Sequence, residues 1–94
     1  MQVVVHFEAQ LRQLAGEDNA VVSIPDASSV LDLLRVLAEQ VGTSLRDRVF
    51  HADGTVQRSV LLFVNDRSVA HDALDRCHLK DGDSVLLYPP ISGG

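Results

Sequence analysis

Ninety-four residues and a single cysteine, Cys77, set narrow limits. A chain of this length is one domain that buries only about 60–65% of its unfolded surface, and one thiol cannot staple it into a disulfide framework. Thirteen Asp and Glu against eight Lys and Arg leave a net charge of −5. That balance argues against nucleic acid, whose binding needs basic clusters that displace counterions. No apolar run approaches the ~20 residues that cross a bilayer, and the opening residues lack the pattern of a signal peptide. The expectation is a cytoplasmic protein with neither nucleic acid nor membrane as partner. With 46% hydrophobic residues, no Trp and only four aromatics, its core must be aliphatic.

The elements follow in chain order. Val3, Val5 and Phe7 alternate with Val4, His6 and Glu8, which predicts a strand with one strongly apolar face. Leu11 to Gly16 reads as a short connection with Leu11 and Leu14 turned inward. Val21, Val22 and Ile24 form a second strand stopped by Pro25, and two sequential strands so joined pair most simply as an antiparallel hairpin. Ser29 followed by Asp32 is a variant capping box. Val30, Leu31, Leu34, Leu37, Ala38 and Val41 then make a helical stripe, with Gly42 placed to take a left-handed conformation at its end.

Residues 43–58 are less regular, with Asp53-Gly54 marking a small excursion hairpin. The continuous apolar run from Val60 to Val64 predicts a strand buried on both faces. Asn65-Asp66 turns the chain into a short edge segment at Arg67-Ser68-Val69, and residues 70–80 leave room for a helical turn. Lys80-Asp81-Gly82-Asp83 is a tight turn in which the two carboxylates shape the backbone. Ser84 to Tyr88 is the last strand, because Pro89-Pro90 cannot donate to a ladder. A hairpin, a crossing helix and returning strands define a two-layer α+β domain, in which the helix permits a right-handed crossover to a parallel neighbour. This is the ubiquitin-like β-grasp arrangement: a mixed four- to five-stranded sheet on one main helix over residues 1–88, with a flexible tail over 89–94.

Motifs for chemistry within the body are missing. There is no phosphate-cradling glycine loop, no nucleophile elbow and no H-E-x-x-H. His6, His51, His71 and His78 fall outside metal-ligand spacings. His71, Cys77 and His78 lack the fourth ligand usual for structural zinc, so no metal is expected. Arg76 and His78 flank Cys77, but an incidental thiol is the simpler reading.

The C-terminal end differs. At average glycine usage of about 7%, two terminal glycines coincide in roughly one chain in 200. Pro89 and Pro90 favour polyproline II geometry and would send the tail outward from the sheet. Gly93 and Gly94 have no side chains and would thread a narrow channel, bringing the α-carboxylate of Gly94 to a nucleotide bound by another protein. Activation by ATP would make that carboxylate an electrophile. The chain would then be the passenger and a partner the catalyst.

Asp81-Gly82-Asp83-Ser84-Val85, an apolar strand and Pro89-Pro90-Ile91-Ser92-Gly93-Gly94 together resemble the ThiS/MoaD group of ubiquitin-like sulfur carriers. Val3 to Phe7, Leu11-Arg12-Gln13-Leu14-Ala15-Gly16 and Val64-Asn65-Asp66 agree with the same family. The resemblance implies a carrier that is not itself an enzyme and binds no cofactor. A ubiquitin-activating-type adenylyltransferase would use ATP to adenylate Gly94, with Gly93 beside it. A sulfur donor, either a persulfide sulfurtransferase or sulfide, would convert it to a thiocarboxylate. An acceptor biosynthetic enzyme would receive the sulfur for molybdopterin, cysteine, a thiazole or another thio-metabolite. By motif position Pro89, Pro90, Ile91 and Ser92 form the rest of the partner-binding tail, and Tyr88 matches an aromatic partner contact, with a ring that caps the core and leaves its hydroxyl in water as the equal alternative. The segments 43–58 and 65–81 are longer than in compact molybdopterin carriers, whereas the proline pair is of their type, so the acceptor stays open. A modifier joined to lysines through Gly94, a small subunit of a synthase and a β-grasp adaptor are the competing expectations.

Overall fold

The alternation of Val3, Val5 and Phe7 with polar or half-exposed neighbours produces the expected strand, β1 (Gln2–Phe7). The structure, a computed structural model, describes residues 1–8 and 10–88. The connection after β1 is itself helical: α1 (Gln10–Ala15) buries Leu11 and ends at Gly16, whose φ of +78° suits glycine. Strand β2 (Asn19–Ser23) then pairs antiparallel with β1, Val3 opposite Val22 and Val5 opposite Ala20.

The main helix, α2 (Val30–Val41), starts at the expected capping box. The Asp32 amide donates to Ser29 Oγ at 3.1 Å, and the Ser29 amide donates to Asp32 Oδ2 at 3.0 Å. These bonds from Ser29, backbone first, hold the Asp32 carboxyl below its usual value of 3.8. The buried stripe is Val30, Leu33, Leu34, Leu37 and Ala38. Leu33 therefore replaces Leu31, which is only half-buried because it lines an open groove beside the excursion hairpin. Gly42 has φ +113° and ψ 178°, positive but extended, since it joins two helices instead of closing one. The second, α3 (Thr43–Val49), lies where the sequence showed little regularity, and buries Leu45 and Val49 four residues apart. The excursion hairpin follows, with Phe50 bridged to Val56 and the His51 amide donating to Thr55 O at 2.7 Å.

Strand β3 (Leu61–Val64) turns through Asn65 and Asp66, both at positive φ (48° and 70°), into the two-residue edge strand β4 (Arg67–Ser68). Two consecutive positive φ values give a turn whose twist matches that of the strands it joins. A 3₁₀ turn at His71–Ala73 precedes β5 (Ser84–Tyr88). The sheet has five strands in the order β2-β1-β5-β3-β4. The parallel neighbour of β1 is β5, and β3 is antiparallel to β5. The crossover from β2 to β3 therefore passes β1 and leaves a one-strand gap beside it, which the last strand fills.

That insertion is held at one turn. The Gln2 amide donates to Asp81 Oδ1 at 2.7 Å, and the Gly82 amide donates to Gln2 O at 2.8 Å. Asp83 accepts from the Lys80 amide through Oδ2 at 2.8 Å and from Asn65 Nδ2 through Oδ1 at 2.9 Å. The Ser84 amide in turn donates to Asn65 Oδ1 at 3.0 Å. Gly82 sits at φ +86° with open space around it, so backbone conformation alone selects glycine. The two aspartates shape the turn, as the sequence implied.

Two outcomes follow from these contacts. Asp83→Ala should cost about 1–2 kcal/mol, and combining it with Asn65→Ala should cost less than the sum because both remove one shared bond. Urea unfolding of the four-member cycle measures this. Ser29→Ala should cost about 1 kcal/mol through loss of the cap. Asp32 titrates lower in the folded chain than unfolded, so its contribution is complete above pH 3.8 and is lost as pH falls through the folded value. The Ser29→Ala variant should therefore lose less stability than the parent between pH 5 and pH 2, read by the same unfolding series.

Candidate partner-docking site

Strand parity assigns the two faces of the sheet different tasks. Val3, Val5, Phe7, Val22, Leu62, Val85 and Leu87 point to the helices and are buried. The opposite face has no helix over it among the described residues. One row crosses all five strands there: Asn19, His6, Leu86, Phe63 and Ser68. On one side of the row Val21 faces Val4, and on the other Leu61 faces Tyr88.

This outer face is unusually apolar for exposed surface. Val21, Leu61 and Tyr88 are 60%, 44% and 37% exposed, and among the described residues they are the large hydrophobics most open to solvent. Val4, His6, Phe63 and Leu86 are half-buried. Within its strands, no Asp, Glu, Lys or Arg side chain shares this face, although 22% of the chain is charged. Glu8, just beyond β1, sits at the corner and is engaged by Arg12 Nη2 at 3.2 Å; Arg12 Nε also meets Asp18 at 3.3 Å. An exposed apolar patch with a polar rim marks an interaction surface.

Tyr88 is the last described residue and occupies the edge of the patch. Its ring packs edge-to-face on Phe63, centroids 5.6 Å apart at 77°, an arrangement favoured by the ring quadrupoles. The structure thus brings the sequence-selected Tyr88 together with Leu61, Phe63, Leu86, Val4 and Val21, which the sequence reading did not single out. Leu61 was expected to be buried, since a continuous apolar run is the signature of a two-sided strand. Its exposure corrects that expectation: β3 is covered on one face only. The available signal was parity, because an antiparallel β3 beside β5 must place Leu61 and Phe63 on the side of Tyr88. Pro89, Pro90, Ile91, Ser92, Gly93 and Gly94 lie outside the described residues.

The remaining chemistry-bearing side chains lie elsewhere. His51, His71, Arg35 and Arg58 line an open groove of about 590 Å³ between α2 and the excursion hairpin. His71 Nε2 is 2.7 Å from Val60 O. Cys77 is a half-buried free thiol packed against the core. Among the described residues no cluster of three His, Cys, Asp or Glu is placed to hold a metal, and no helix is long and apolar enough to cross a membrane.

Comparison with known proteins agrees with this architecture. Small archaeal modifier protein 3 of Haloferax volcanii is 35% identical over the full length of both chains. A molybdopterin synthase sulfur carrier subunit of Drosophila melanogaster is 30% identical over all of this chain and 92% of its own. The crystal structure of SAMP1 from Haloferax volcanii superposes over the whole of both chains with a TM-score of 0.88 at 28% identity. These relatives are carriers or modifiers and not catalysts, and the fold they share is the ubiquitin-like β-grasp. A sequence profile of the ThiS family matches residues 5–94, and the chain belongs to that family.

Proposed function

We propose that this protein is a sulfur carrier working through the α-carboxylate of Gly94. A ubiquitin-activating-type adenylyltransferase joins that carboxylate to AMP from ATP and releases pyrophosphate. Hydrosulfide then displaces AMP to leave a C-terminal thiocarboxylate. With a persulfide donor, the terminal sulfur forms an acyl disulfide, and a second donor thiol cleaves it to release the same thiocarboxylate. An acceptor biosynthetic enzyme takes the sulfur for molybdopterin, cysteine, a thiazole or another thio-metabolite. The chain supplies no catalytic side chain. Gly93, Ser92, Ile91, Pro90 and Pro89 present the carboxylate, and the body provides the handle. The same reading puts the protein in the cytoplasm, where ATP is at hand.

The observation that carries this reading is the family match running through the paired glycines at 93 and 94. The outer sheet face supports it, because it ends at Tyr88, the residue from which the chain passes to Pro89. A partner that engages Gly94 is thereby brought to the rim of the apolar patch. We place the docking of the activating enzyme and the acceptor on Tyr88, Leu61 and Phe63. A second reading, a modifier conjugated to lysines through Gly94, draws on the 35% identity to a small archaeal modifier protein. Both readings begin with the same adenylate.

Intact-mass measurement after incubation with ATP, the cognate activating enzyme and sulfide separates them. A mass gain equal to replacing one oxygen by sulfur, lost on deleting Gly94, is the expected result. Protein-sized adducts in cells without that gain would favour the modifier, and neither product would sink both. On the docking face, Leu61→Arg and Tyr88→Arg should each lower kcat/KM of adenylation about tenfold or more, the loss expected of a buried interface anchor. Because both positions are exposed in the free protein, its thermal midpoint should move by only a few degrees. A collapse of the midpoint, or unchanged adenylation, would count against this placement.

A further inference from the structure

Strand β2 is an edge of the sheet, and only half of its backbone is paired. The Ile24 amide donates to Met1 O and the Phe7 amide to Asp18 O, both at 2.9 Å. Antiparallel pairing alternates, so Val22 and Ala20, opposite Val3 and Val5, also turn their amides and carbonyls to β1. Asn19, Val21 and Ser23 therefore point theirs away from the sheet, and among the described residues no other group takes them up. The opposite edge is guarded: β4 has two residues, one of them Arg67, and a short, charged edge discourages strand addition. Strand β2 has neither protection. It runs Asn19–Ser23 without charge or proline, its register is free of bulges, and its Val21 is 60% exposed. An open groove of about 450 Å³, walled by Ala15, Glu17 and Gln40, lies beside it.

We propose that the free edge of β2 is a second docking surface, which takes an extended segment of a partner protein as an added antiparallel strand. This stands apart from the carrier reading. Asn19, Val21 and Ser23 each offer an amide and a carbonyl in the alternation that only another strand completes. A residue opposite Val21 falls beside its side chain on the open face and is apolar. A residue opposite Ala20 turns to the helix side, into the groove.

Charge sets the direction of the added strand. Past the Asn19 end lie Glu17 and Asp18, and the single Arg12 there is divided between Asp18 at 3.3 Å and Glu8 at 3.2 Å. Past the Ser23 end, Asp26 is offset by the amino group of Met1 at 3.3 Å. The uncompensated carboxylates are thus at one end only. An antiparallel segment brings its C-terminal end there, and that end carries Lys or Arg. The same charges disfavour a second copy as the occupant. Self-pairing about Val21 would set Glu17 and Asp18 of each chain against Pro25 and Asp26 of the other, with no new cation to balance them.

The test is an amide NMR titration of the full chain with a capped heptapeptide, Thr-Thr-Val-Val-Thr-Arg-Lys, whose first Val would lie opposite Val21. Binding at a Kd of about 1 mM or tighter should shift the amides of Asn19, Val21 and Ser23 most. Methylating the peptide nitrogen opposite Val21 should weaken binding about tenfold or more, through a backbone hydrogen bond left unmade. Val21→Pro should do the same with the β1 ladder intact, since proline is tolerated where its nitrogen faces solvent. Ser23→Pro removes a different edge donor and serves where Val21→Pro fails to fold. A peptide ending in Glu-Glu should bind more weakly, most of all at low salt; equal binding would overturn the assigned direction. No shift at β2, shifts centred on Leu61 and Tyr88, or equal binding by the methylated peptide would overturn the proposal. Concentration-dependent shifts at β2 without peptide would overturn it too, by giving the edge to a second copy. Each of these results leaves the carrier reading as it stands.

Discussion

The fold depends on holding the last strand between two earlier ones. Strand β5 has β1 on one side, parallel, and β3 on the other, antiparallel. Neither neighbour is linked to it by a tight hairpin, so loop closure gives little guidance and local contacts must set its position. The turn at Lys80-Asp81-Gly82-Asp83 does this by reaching both ways. Asp81 and Gly82 bind the backbone of Gln2 at the start of β1, whereas Asp83 binds Asn65 at the end of β3. Each bond is modest and partly exposed. Together they fix where β5 begins, and so where Tyr88 ends.

This accounts for which parts of the fold were legible in the sequence. The turn residues were readable because glycine and short acids do there what their backbone chemistry favours, and Ser29 with Asp32 announced α2 for the same reason. Helix α3 was not readable. Its sequence, Thr43 to Val49, is polar except for Leu45 and Val49, and two apolar residues four apart establish no period. It forms because α2 and α1 offer a surface for those two side chains, a tertiary effect that outweighs weak local propensity. Helix α1 is likewise too short to be recognised apart from its packing.

The misreading of β3 has a different origin. Val60-Leu61-Leu62-Phe63-Val64 carries apolar residues on both faces, which in a protein built for stability alone means burial on both. Here one face is left open, and in the proposed role its excess hydrophobicity serves recognition. A local pattern that disagrees with the final burial is expected where a surface serves a partner. Tyr88 could be selected from its place before the prolines. Leu61, Phe63 and Leu86 become visible only once the pairing is known, since they come from strands more than twenty residues apart in the chain.

On the proposed docking role, stability and recognition are written on alternate residues of the same strands and cannot drift independently. A slip of β1 by one residue would turn Val3, Val5 and Phe7 outward and bring Gln2, Val4 and His6 beneath α2. The bond from the Gln2 amide to Asp81 opposes that slip at the start of the strand. It also aligns His6 with Leu86, and Leu86 with Phe63, in one row across the open face. The net charge of −5 stays compatible with an uncharged docking face because the acidic side chains are in turns, helices and rims. Attraction at a distance and apolar contact at close range can then act in sequence on the same partner. The pair of aspartates at the far end of β5 thus governs the proposed docking surface from a distance, by fixing the register that separates the two faces.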